Sequence, residues 1–193
     1  MSKNILLISD TMIKEKTALH GNVDPKLLYP EIKLAQDMFI HPLLGTALFD
    51  KIQALIEAGS FTTGDYKNLL DDYIVDTLMN YVLAELPETL SYQFYNKGVV
   101  RKTGDNAELP SMSDLASVSS RYRSRAEWYA TRLTKYLKEN ATAQLFPEYL
   151  NPGSGYDDIH PTKQAYTCPI VLDDDYECRR SLEDKYQGNK PSC

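Results

Sequence analysis

Residues 24–52 read DPKLLYPEIKLAQDMFIHPLLGTALFDKI, and this stretch decides the fold class. Asp24 can cap a helix, because a carboxylate accepts from the free N–H groups of a first turn. Pro25 then stands at the first helical position, where its missing N–H costs nothing. Leu27, Leu28, Ile32, Ala35, Met38 and Phe39 recur at three- and four-residue steps and predict one apolar stripe. Pro42 is expected to end that helix, since the residue before a proline is pushed out of the helical region. Thr46 opens a second helix with Leu48, Phe49, Ile52, Leu55 and Ile56 inward, and Gly59 closes it. So short a connection sets the two helices antiparallel or at a steep angle.

Upstream, Ser9 or Asp10 caps a short helix to Thr17, followed by a Gly21-Asn22 loop. Downstream, Asp65 to about Leu86 carries the row Tyr66, Leu70, Tyr73, Thr77 and Tyr81, widened by Leu69, Ile74, Leu78 and Val82. A stripe that broad predicts a helix buried on more than one side. Pro87 bends or ends it, with room for a further turn or two up to Asn96. Val99, Val100 and Arg101 then read as a strand, and Thr103-Gly104-Asp105-Asn106 as a turn, hence a protruding hairpin or loop. Ser113 with Asp114 is expected to cap a last long helix to about Asn140, on the row Leu115, Val118, Tyr122, Ala126, Tyr129, Leu133 and Tyr136. After the break at Asn151-Pro152-Gly153-Ser154-Gly155 no period is sustained; one apolar patch, Pro169-Ile170-Val171-Leu172, precedes Asp173-Asp174-Asp175. The expected architecture is all-α: a compact bundle of about five helices over residues 1–150, with an extended C-terminal arm over 151–193.

Composition narrows the function. A formal charge of −6 argues against a protein whose main task is gripping nucleic acid, which draws on clustered Lys and Arg. The apolar run Ile5 to Ile8 is too short for a signal peptide or a membrane span, so synthesis in the cytoplasm and no membrane partner are expected. Cys168, Cys178 and Cys193 read as free thiols. A zinc site from them and His160 lacks the close ligand pairs that structural zinc uses. No ExxH, HExxH, phosphate loop or nucleophile elbow is present, so neither an enzyme nor a cofactor is expected. His41 beside Pro42 reads as a helix-end residue rather than a base. Arg121, Arg125, Arg132 and Lys135 fall on one helical face, expected to lie opposite the tyrosine row. That face reads as solvated, salt-bridged, or paired across subunits with the acidic face around Asp71, Asp72 and Asp76. The fourteen tyrosines suit both core and interface.

The run LLYPEIKLAQDMFIHPLLGTALFDKIQALI, the long Asp/Tyr-rich helix after it, then NKGVV and SMSDLASV, resemble head–tail connector proteins of tailed bacteriophages. The likeness is greatest to the adaptor ring proteins of crAss-like phages and their relatives in Bacteroidota. It covers roughly residues 5 to 140 and is carried by Leu43-Leu44-Gly45, by Asp50-Lys51 and by Tyr95 to Val100. The resemblance implies a structural virion protein, assembled in the host cytoplasm, that forms a ring (usually a dodecamer) below the portal. Such a ring extends the DNA channel, past which packaged DNA slides without specific binding, and joins portal protein to tail or further ring proteins. Within that frame Pro169, Ile170, Val171, Leu172 and Tyr176 are expected to dock a partner. Val99, Val100, Arg101 and Lys102, in the loop running to Pro110, would meet a neighbour or the lumen. Arg121, Arg125, Arg132 and Lys135 would form a subunit contact. A competing reading is a cytoplasmic helical regulator or DNA-binding protein using the Arg121–Lys138 helix.

Overall fold

A computed structural model describes residues 4–59, 64–96, 98–101, 110–155 and 158–162, excepting the side chains of 93–95 and 98–101. The architecture is all-α with one small hairpin. Six helical rods are present among the described residues.

The first rod, α1, spans Asp10–Lys16. Its N-cap is Ser9, whose side chain accepts from the Met12 N–H. The second begins with α2, Pro25–Ala35, capped by Asp24, which accepts from the Lys26 N–H. It continues through a π-helical turn, Gln36–Ile40, into α3, His41–Leu44. Pro42 therefore does not end this rod, contrary to expectation. The π turn bonds the His41 N–H to the Gln36 carbonyl five residues back. That wider register leaves room for the proline ring, which would otherwise press on the preceding turn. The same turn moves the apolar stripe. Gln36 and Ile40 are fully buried, whereas Met38, expected inward, is 57% exposed. The break falls at Gly45, with φ 77° and ψ 158°, a backbone conformation essentially reserved for glycine.

Next comes α4, Thr46–Glu57, which buries Leu48, Phe49, Ile52 and the polar Gln53. The central rod joins α5, Asp65–Leu69, a second π turn, Leu70–Ile74, and α6, Val75–Ser91. Its burial is as broad as its sequence predicts: Leu69, Ile74, Val75, Leu78 and Val82 are fully covered, and Leu70, Tyr81 and Leu86 nearly so. Pro87 lies inside α6 and does not stop it. At Tyr92 the chain turns extended, and β1, Tyr92–Tyr95, pairs antiparallel with β2, Gly98–Arg101, in the register Tyr92 opposite Arg101 and Tyr95 opposite Gly98. The hairpin reverses between Tyr95 and Gly98; the expected turn at Thr103–Asn106 lies outside the described residues.

The longest rod is α7, Met112–Asn140. Its N-cap is Ser111, two residues before the expected Ser113. Ser111 accepts from the Asp114 N–H and Asp114 accepts from the Ser111 N–H, a reciprocal capping box. Asp114, held as acceptor by the Ser111 hydroxyl and backbone N–H, titrates below its ordinary range. Against α6 the α7 rod presents Ala126, Ala130, Leu133 and Leu137, all fully buried; the two alanines let the rods approach closely. The Ser119 hydroxyl donates to the Ala84 carbonyl across the pair at 2.7 Å. Phe146 then takes a left-handed conformation (φ 55°) with its ring fully buried, edge-on to Tyr66, and leads into α8, Pro147–Leu150. The Tyr66 hydroxyl donates to Glu148 at 2.7 Å, and burial together with that carboxylate pushes the phenol upward.

Two buried amides hold the N-terminal segment. Gln36 accepts from the Leu7 N–H at 2.9 Å and donates to the Ile5 carbonyl at 3.0 Å. Gln53 donates to the same carbonyl at 3.0 Å.

Candidate docking surfaces

Two arrangements stand out against an otherwise ordinary core. The first is the outward face of α7. Arg121, Arg125, Arg132 and Lys135 are all exposed, and Trp128, the one tryptophan of the chain, stands among them at 63% exposure. At 100° per residue these five positions share a single stripe. Tyr122, Tyr129 and Tyr136 lie about a quarter-turn away rather than opposite, because the opposite side is taken by Ala126, Ala130 and Leu137. Cations and aromatics therefore meet. The Arg132 guanidinium sits 4.6 Å from the Tyr73 ring centre and donates to the Asp72 carbonyl at 3.3 Å. Tyr73 is stacked on Tyr136 with centroids 4.1 Å apart, and Arg125 lies 5.4 Å over Tyr122. Between the rods an open groove of about 520 Å³ is lined by the aromatic rings of Tyr73, Tyr136 and Trp128 together with Thr131, Arg132, Lys135 and Glu139.

Among the described residues none of the four cations of this stripe is in an ion pair. The neighbouring Arg123 is: it meets Glu85 at 2.6 Å and lies over Phe39. Asp71 pairs with Lys67 at 2.6 Å, and Asp72 meets Arg132 only through its backbone, so the acidic face adjoins the cationic stripe within one chain. Tyr81, stacked on Phe39, is pushed up to about 12 by burial, with Glu127 nearby adding to the effect.

The second arrangement is a corner and a strap. Residues 158–162, beyond the expected boundary at residue 150, return to the body. The Thr46 N–H donates to the Ile159 carbonyl at 2.9 Å, and the Ile159 N–H donates to the Thr46 hydroxyl at 2.8 Å. The Thr162 N–H donates to the Pro42 carbonyl at 2.7 Å. Pro161 lies so close to Gly45 that a Cβ there would stand 2.7 Å from the ring's Cγ and Cδ. His41 stacks on Phe49 with centroids 4.5 Å apart, and its Nε2 is 3.0 Å from the Thr46 hydroxyl. Since Ile159 donates to that hydroxyl, a neutral His41 with an unprotonated Nε2 completes the relay by accepting from it. Burial holds the His41 pKa below its ordinary value. Sequence reading places His41 at a helix end, where it is, but the strap it supports has no periodic signal.

Other expected residues fall as follows. Val99, Val100 and Arg101 are in β2, with only their backbone described. Lys102 and the docking residues Pro169, Ile170, Val171, Leu172 and Tyr176 lie outside the described residues, as do the three cysteines. His160 lines a second cleft of about 520 Å³ with Tyr149, Leu150, Pro161 and the last turns of α7. No group of three or more His, Cys, Asp or Glu able to hold a metal ion occurs among the described residues, and no helix there is long and apolar enough to cross a membrane.

Neither a curated protein nor a solved structure matches the chain. A family profile does match, over residues 40–159, from the π turn before the corner to the strap that closes it. This span is well over half of the sequence, and on it the chain belongs to DUF6712, a family of unknown function.

Proposed function

We propose that this chain is a structural virion protein: a head-to-tail connector adaptor that forms a closed ring, dodecameric by its resemblance, below the portal. It extends the DNA channel and joins capsid to tail, and its place is the head–tail interface of a particle assembled in the host cytoplasm. The observation that carries this reading is the α7 stripe. Four cations and an exposed tryptophan form one continuous face with no ion partner among the described residues. Ring contacts are heterologous, one surface of each copy meeting a different surface of the next, and an aromatic–arginine face is suited to them. A formal charge of −6 suits a conduit past which phosphates move without sticking. In this reading Arg121, Arg125, Arg132 and Lys135 contact a neighbour, the segment Val99–Lys102 meets a neighbour or the lumen, and Pro169–Leu172 with Tyr176 docks on portal.

The strap sets where to cut. A chain ending at Thr162 keeps every described contact and should retain its far-ultraviolet dichroism while losing capture by portal protein in a pull-down. Capture by the shortened chain at full strength refutes the docking role. Native mass measurement of the portal complex should show a ring of copies; a single bound copy refutes the adaptor reading.

The same stripe gives one observation for nucleic-acid binding, since cations flanking an exposed ring make a stacking platform. That reading predicts DNA affinity falling steeply with salt, and such affinity in the isolated chain would displace the adaptor reading.

A further inference from the structure

We propose that the α7 groove is the seat of the chain's own arm: the stretch Ile170–Glu177 of the same polypeptide rests on it in the free subunit. Three observations lead there. The groove joins aromatic walls at Tyr73, Tyr136 and Trp128 to the cationic stripe. Residues 170–177 read IVLDDDYE, three apolar side chains for the aromatic walls followed by Asp173, Asp174, Asp175 and Glu177, an acidic run for Arg125 and Arg121. The strap, finally, launches the arm from the right place. His160 and Pro161 share a cleft with Leu137 and Lys138, so the chain stands beside the last turns of α7 one residue before the end of the described segment.

Reach and polarity agree with this seat. Asp173 lies eleven steps along the chain from Thr162, a reach of at most roughly 36–40 Å. The stripe from Lys138 back to Arg121 is about 25 Å long at the helical rise. An arm running back along α7 brings Ile170–Leu172 to the aromatic groove first and the carboxylates to Arg125 and Arg121 afterwards. Glu139 stands at the entry end, away from the acidic run. A tethered segment of this length meets its site at an effective concentration on the order of 1 mM, which fills about nine sites in ten even at an affinity of roughly 0.1 mM. Attachment within the chain therefore outcompetes attachment to another dilute copy. The consequence deepens the adaptor reading and rests on it only for its purpose: the docking patch and the subunit-contact face cover each other until a portal displaces the arm, so both become available together.

The test needs the isolated full-length chain and neither portal nor ring, so its failure is distinct from failure of the adaptor reading. With C178S and C193S in place, Cys168 is labelled with bimane, whose emission tryptophan quenches on contact. Trp128 is exposed, so W128F leaves the fold intact. Emission should rise several-fold in the W128F chain, and likewise in a chain carrying D173N, D174N and D175N. The quenching should persist on hundredfold dilution. Equal emission with and without Trp128 overturns the proposal. So does quenching that vanishes on dilution, or that appears when the labelled W128F chain is mixed with unlabelled parent, because the groove then takes the arm of a second copy.

Discussion

Gly45→Ala tests the corner on which the strap is built. Two separable costs arise. The first is local: at φ 77° and ψ 158° an alanine lies in a region that only glycine occupies freely, a penalty of about 1–3 kcal/mol. The second is tertiary. The new Cβ would stand 2.7 Å from Cγ and Cδ of Pro161 and 3.2 Å from the Ile159 carbonyl oxygen, distances that a rigid ring and a backbone atom cannot relieve by a rotamer change. The strap must then lift, weakening the Thr46–Ile159 pair and the Thr162–Pro42 bond, each worth roughly 0.5–1.5 kcal/mol. Together these amount to about 2–5 kcal/mol, or a fall in Tm of roughly 5–15 °C for a chain of this size. Urea unfolding of G45A, P161A and the double variant separates the two. P161A removes the clashing Cγ and Cδ but not the Ile159 carbonyl, so G45A should cost at least about 1 kcal/mol less in that background, the backbone penalty and the carbonyl contact remaining. A G45A chain as stable as the parent refutes the corner geometry. An equal cost in both backgrounds refutes the contact with Pro161.

Two further outcomes follow from buried polar groups. His41 is charged less readily when folded than when unfolded, so the unfolded chain binds more protons below pH 6.5. The stability it contributes is complete above that value and lost as pH falls through the lower folded pKa. The protection of the Thr46 and Ile159 amides, taken relative to their intrinsic exchange rates, should fall over that interval, and unchanged protection in the parent, or the same loss in H41F, would show that His41 does not hold the strap. Gln36→Leu strips the Leu7 N–H of its acceptor and the Ile5 carbonyl of one of its two amide donors. It should cost about 2–4 kcal/mol in urea unfolding, since a buried donor is left without water or partner; a loss under about 0.5 kcal/mol would mean that Gln53 alone secures the segment.

Much of this fold was legible because its punctuation is chemical. Asp24 with Pro25 and the glycine at 59 mark ends by mechanisms that do not depend on tertiary context. The central rod announced itself by an apolar stripe too wide for a surface helix. Two of the misses share one cause. Periodicity arguments assume an unbroken 3.6-residue turn, and two π turns, Gln36–Ile40 and Leu70–Ile74, break it. The first carries Pro42 through a helix it should have ended and turns Met38 outward. Ser113 was mistaken for a cap because a serine stands at both 111 and 113, and only the reciprocal bond with Asp114 distinguishes them.

The candidate surfaces divide along the same line. The α7 stripe was visible as cations at helical spacing, since exposed charge on a helix needs only the wheel to be grouped. Its neighbours were misplaced, because Tyr73 comes from another rod and draws Arg132 and Tyr136 into one groove. The strap left no trace at all. Its bonds run mostly between backbone atoms, and backbone atoms carry no residue identity. What sequence does record is the other half of that contact: a glycine at 45, held at positive φ under a proline ring far along the chain. A glycine between two helix-forming stretches asks two questions, which turn it permits and what approaches it. The second answer here carries the packed body past Asn151 to Thr162, the last described residue, and so decides which truncation tests the proposed docking apart from folding.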